Sequence, residues 1–119
     1  MRNFRFIQAN QALREMFKTD IIEADILLEL GEELMRIDKY DLAETCLRKI
    51  VNLAEEGKNI EENMIGDAKV KLGKVFMVQN KTELARQVLE EALGHLEGET
   101  EKANVFKMLD GLGIEGNNE

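Results

Sequence analysis

The chain has no proline and no tryptophan, a single cysteine and a single histidine, and only 5% of its 119 residues are aromatic. One cysteine, Cys46, excludes an intramolecular disulfide and a thiolate metal cluster. A reducing compartment such as the cytoplasm is the expectation that follows. One histidine, His95, leaves a zinc site short of the three or four protein ligands it normally takes. No apolar run approaches the ~20 residues that span a bilayer, and no uninterrupted apolar core of a signal peptide appears.

Cationic charge is also scarce. The 24 acidic side chains outnumber 16 basic ones, for a net charge of −8, which repels a phosphate backbone and argues against nucleic acid as a partner. What the chain does have is apolar (44%) and charged (34%) residues interspersed at short spacing, the pattern of solvated helices in an all-α domain. Its length suits one domain over residues 1–119, long enough to bury roughly two thirds of the unfolded chain's surface.

Periodicity and turn chemistry divide the chain into six helical segments: 4–18, 21–37, 39–56, 60–79, 81–97 and 100–110, with 111–119 as a flexible glycine-rich tail. Asp20, Asp38, Asn59 and Asn80 each precede an acidic residue by three positions, the pattern of an N-cap followed by an acid at the positive end of the helix dipole. Gly57, Gly98 and Gly111 mark expected helix ends. Short connections imply antiparallel hairpins. "GLGIEG" in the tail follows a helix rather than a strand and opens no further helix, so it is not read as a phosphate loop.

The chain repeats itself. A shift of 42 residues superposes Leu30 on Leu72, Gly31 on Gly73, Asp38 on Asn80, Lys39 on Lys81, Leu42 on Leu84, Ala43 on Ala85 and Leu47 on Leu89. A shift of 34 sets Phe6 on Tyr40, Ala9 on Ala43, Leu13 on Leu47 and Met16 on Ile50. Segment 4–18 therefore reads as the second helix of an incomplete unit. Glycine inside a helix costs about 1 kcal/mol relative to alanine. Its recurrence beside leucine is read as close approach of the first helix of each hairpin to Ala43 or Ala85 of the second.

These positions resemble the tetratricopeptide repeat family: Ala24, Leu30, Gly31, Tyr40, Ala43, Leu47 and Ile50 in one unit, and Leu72, Gly73, Phe76, Ala85, Leu89 and Ala92 in the next. The long spacing is similar to that of kinesin light chain units. The resemblance implies a right-handed α-solenoid of about six helices. It would comprise a half repeat (4–18), two full repeats (21–56 and 60–97) and a capping helix (100–110). It also implies a concave groove lined by Asp25, Leu28, Glu32, Met35 and Arg36 from one unit and Asp67, Val70, Lys74, Met77 and Val78 from the next. Family members that clamp a C-terminal carboxylate carry lysine and asparagine where this chain has Leu28 and Glu32, so a clamp of that kind is not expected.

Catalytic chemistry finds little to stand on. His95 and Glu91 supply two ligands at most, Cys46 has no histidine near it in sequence, and the paired glutamates lack calcium-loop spacing. The expectation is a non-enzymatic protein–protein interaction module with no cofactor and no bound metal, which takes a peptide or protein segment in its groove. Phe4, Phe6 and Ile7 are candidates for self-association as a homodimer, since the first segment lacks its hairpin mate. Three alternatives are weighed against this: a small acidic secretion or assembly chaperone, a metal-dependent or thiol enzyme built on His95 or Cys46, and membrane-surface attachment through the basic segment 1–18.

Overall fold

The computed structural model describes residues 20–117. Among them are five helices and no strand: α1, helical over residues 20–36, α2 (Tyr40–Glu55), α3 (Glu62–Val78), α4 (Thr82–Leu93) and α5 (Glu99–Asn117). The chain is all-α over this range. Segment 4–18, with Phe4, Phe6 and Ile7, lies outside the described residues, as do residues 118–119.

Three of the four turns use the same device. Asp38 (φ 62°), Gly57 (φ 86°) and Asn80 (φ 61°) stand in the left-handed region, where Gly, Asn and Asp are the residues that enter at least cost. Each ends a helix with a pair of backbone bonds. Asp38 N–H donates to Met35 O and Lys39 N–H to Leu34 O, Gly57 to Ala54 O and Lys58 to Leu53 O, and Asn80 to Met77 O and Lys81 to Phe76 O, at 2.8–3.1 Å. Two of the carbonyls that the last turn leaves without helical partners are thereby satisfied.

This corrects the capping assignment made from sequence. Asp38 and Asn80 close the preceding helix instead of opening the next one. The N-cap positions belong to Lys39 and Lys81, whose backbones match closely (φ −94°, ψ 65° and φ −94°, ψ 70°) and which make no side-chain cap bond. The N-cap of α3 is Glu61, not Asn59, also without a side-chain bond. Asp20 is already helical; its Oδ2 accepts the Asn59 backbone N–H at 3.3 Å. A short polar side chain that suits an N-cap also suits a left-handed turn residue, and a turn this short leaves room for only one of the two.

Two boundaries move for reasons of packing. α4 stops at Leu93 instead of 97, because after Gly94 the chain turns Leu96 inward, where it is 6% exposed. α5 runs through Gly111 instead of ending there. Leu112, 2% exposed, is part of the core, and its burial carries the helix past a residue that by itself favours stopping.

α3 packs against α2 on one side and α4 on the other, and α4 packs against α5. Sandwiched in this way, α3 buries Ile65, Gly66, Ala68, Leu72, Gly73, Val75 and Phe76, more than one helical face can hold. α2 and α4 each bury a single stripe: Ala43, Leu47, Ile50 and Leu53 in α2, and Ala85, Val88, Leu89 and Ala92 in α4. All of these belong to sets spaced three or four residues apart, the period of one helix face. The closest partner of each glycine is a leucine, not the expected alanine. A Cβ on Gly31 would stand 3.1 Å from Leu47 Cδ2, and one on Gly73 would stand 2.5 Å from Leu89 Cδ2. Leu47 and Leu89 occupy the same position forty-two residues apart.

Candidate functional site

Asn63, Asp67, Val70 and Lys74 recur along one face of α3 at helical spacing, and across from them α5 presents Glu101, Asn104 and Met108. Together with Leu96 they line a cleft of about 360 Å³. Val70 and Met108 are half-buried and Leu96 is buried, giving an apolar floor, while Lys74, Glu101, Asn63 and Asn104 are exposed. The cleft thus offers charge of both signs and two side-chain amides around an apolar base. Such a surface suits recognition of a peptide, whose backbone needs donors and acceptors and whose side chains need an apolar seat.

The cleft is tied to α1 by Lys71. Its Nζ lies 2.5 Å from Asp67 Oδ1 on the same helix and 3.3 Å from Glu32 Oε1 on α1. Lys71 escaped the sequence reading, although its i, i+4 spacing from Asp67 was the available signal.

Of the ten groove positions expected from sequence, the fold brings Asp67, Val70 and Lys74 into the cleft and joins Glu32 to it through Lys71. Leu28, Met35 and Met77 are half-buried against the core. Asp25 is exposed, Arg36 pairs with Glu33 at 2.7 Å, and Val78 is 55% exposed. None of these six lines the cleft. The α5 residues Glu101, Asn104 and Met108 were missed because α5 was read only as a cap. The pair Leu112–Gly113 matches Leu30–Gly31 and Leu72–Gly73 in lying inside a helix, whereas Leu93–Gly94 stands at a helix end.

His95 has definite partners. Its Nδ1 lies 2.5 Å from Glu62 Oε2, and its Nε2 lies 3.4 Å from Lys69 Nζ, which in turn pairs with Glu91 at 3.3 Å. A lysine ammonium, 12% exposed, thus sits between the histidine and Glu91, where a divalent cation would have to go. Among the described residues no group of three or more His, Cys, Asp or Glu side chains could hold a metal ion. Cys46 is half-buried, and burial raises its thiol pKa above the ordinary value, which disfavours the reactive thiolate.

Among the described residues no helix is long and apolar enough to cross a membrane. Comparison of the chain with protein-family models, with curated proteins and with solved structures gave no match.

Proposed function

We propose that the chain is a tetratricopeptide-like helical-repeat module, without catalytic activity, that binds a peptide or protein segment in the cleft between α3 and α5. The observation that carries this reading is the cleft itself: an apolar floor of Val70, Leu96 and Met108 between the charged walls Asp67, Lys74 and Glu101. The turns at Asp38 and Asn80 and the Gly31–Leu47 and Gly73–Leu89 contacts, alike at forty-two residues' distance, support the repeat. The ligand that fits is a short segment with one apolar anchor, an acidic residue placed for Lys74 and a basic residue placed for Glu101.

Peptides selected from a random library against the whole chain test this reading. The expected winners carry that pattern and lose about tenfold in affinity, roughly 1.4 kcal/mol, against Lys74→Glu. Exposed Arg48 lies on α2, away from the cleft, and Arg48→Glu is expected to leave binding unchanged. Selected peptides indifferent to Lys74→Glu would remove the cleft from the reading.

A further inference from the structure

α3 meets the chain that follows it through one face. Glu62 contacts His95, Lys69 pairs with Glu91, and the bare backbones of Gly66 and Gly73 lie against Leu96 and Leu89. A shift of 40 residues sets Ile65 on Val105, Leu72 on Leu112 and Gly73 on Gly113. The match extends to burial, since Ile65, Val105, Leu72 and Leu112 are 8%, 0%, 3% and 2% exposed. The same shift places Phe106, Leu109 and Gly113 where α3 has Gly66, Lys69 and Gly73. On α5, however, much of this face is uncovered among the described residues: Phe106 is 54% exposed and a Cβ on Gly113 would meet nothing within 4 Å, while Leu109 between them is half-buried against the core.

What covers such a face elsewhere is specific. The leucine sixteen residues beyond the glycine sits on it, Leu47 on Gly31 and Leu89 on Gly73, with a fully buried alanine one turn earlier, Ala43 or Ala85. A third copy of that pattern exists at the other end of the chain, as Ala9, Leu13 and Met16 in the register of Ala43, Leu47 and Ile50. In the sequence this segment adjoins α1, whose Gly31 lies on α2, whereas α5 lies on α4 at the far end of the row, so the occupant sought for α5 is the segment of a second copy.

We propose that residues 4–18 of a second copy dock on the open face of α5, with Leu13 of one chain seated over Gly113 of the next. Charge favours the pairing. Segment 1–18 carries Arg2, Arg5, Arg14 and Lys18 against Glu15 alone, a net +3, so the rest of the chain, at −8 minus +3, carries −11. α1 also has an uncovered apolar stripe, since Ile22, Ile26 and Leu30, 56%, 57% and 46% exposed, occupy the 42-residue register of Met64, Ala68 and Leu72. The proposed arrangement would set residues 4–18 between α5 of one copy and α1 of the other, as α2 lies between α1 and α3.

The interface is head-to-tail, so it repeats until a ring closes or an open array forms. It rests on the repeat register that the proposed function also uses, but not on the cleft.

Sedimentation velocity across a concentration series tests it. The unsubstituted chain is expected to form assemblies that grow with concentration, and Leu13→Asp and Phe106→Asp are each expected to sediment as monomers with unchanged helical circular dichroism. An equimolar mixture of those two variants retains one working head and one working tail, and should give a dimer and nothing larger. In a Cys46→Ser background, Leu13→Cys chains mixed with Gly113→Cys chains should form a disulfide between chains. Lys74→Glu should assemble like the unsubstituted chain, so that a failed cleft and a failed interface are told apart. A chain monomeric at all concentrations, assemblies that survive both aspartate substitutions, or no cross-link between the cysteine variants would overturn the proposal.

Discussion

Gly73 and Leu89 approach so closely that a Cβ added to the glycine would stand 2.5 Å from Leu89 Cδ2 and 2.6 Å from its Cγ. The leucine is fully buried, so it has little room to withdraw. Gly31 and Leu47 repeat the relationship with more slack, at 3.1 and 3.2 Å. Alanine in a helix interior gains about 1 kcal/mol over glycine, while overfilling a packed site costs about 1–3 kcal/mol. Gly73→Ala is therefore expected to destabilise the protein by up to about 2 kcal/mol, and Gly31→Ala to fall within about 1 kcal/mol of zero. Urea unfolding with an unchanged slope measures both. Equal destabilisation by the two substitutions would mean that the spacing difference has no energetic weight.

At the end of the chain, Leu112 is the anchor of the last two turns of α5. Its carbonyl also accepts from Arg86 Nη2 at 3.4 Å. Removing a buried leucine side chain typically costs about 2–5 kcal/mol, and Leu112→Ala is expected to cost about 2–4 kcal/mol with a loss of helical signal. Gly111 next to it is helical, and a Cβ there would meet nothing within 4 Å. Gly111→Ala should accordingly stabilise by about 0.4–1 kcal/mol. The opposite signs at adjacent positions are the check, read from urea midpoints.

These two sites also mark how far the sequence could be read. Glycine beside leucine was legible because a helix penalty that recurs at fixed distance from a turn needs a cause. Its partner was misjudged as Ala43 or Ala85, since which residue of the second helix lies opposite depends on how the helices cross, and spacing within one helix does not encode that. Asp38 and Asn80 were assigned to the wrong helix because N-cap and left-handed turn draw on the same side chains. α5 was cut short at Gly111 because local preference was weighed without the burial of Leu112. Read as no more than a capping helix, α5 contributes nothing to the expected groove, which therefore lacks Glu101, Asn104 and Met108, and the cleft is legible from sequence only through Asp67, Val70 and Lys74.

Cys46 offers a test of burial that needs no mutation. Desolvation holds its thiol above the ordinary value, so in the folded chain the thiolate forms only at higher pH than in a free cysteine, whose pKa is about 8.5. Alkylation by iodoacetamide near that pH should run several-fold slower in the folded protein than in urea, and the gap should close as pH rises further. A folded chain as reactive as the unfolded one would show that the α2 thiol is not shielded.

Tyr40 is the single tyrosine and the chain has no tryptophan, so tyrosinate absorbance reports one group. Its hydroxyl donates to Asp38 Oδ1 at 2.9 Å. That bond, then burial, then the carboxylate's charge raise its pKa above the ordinary value. For an acid whose folded pKa is raised, the neutral form is the one the fold favours. The associated stability is complete below about pH 10, the unfolded value, and is lost as pH climbs through the higher folded value. Asp38→Gly removes the acceptor and the charge while remaining at ease in the left-handed turn. It should move the tyrosine titration down toward its ordinary value and remove the alkaline loss of stability. A titration that stays in place in Asp38→Gly would assign the shift to burial alone and leave the Tyr40–Asp38 bond without a role in closing the first turn.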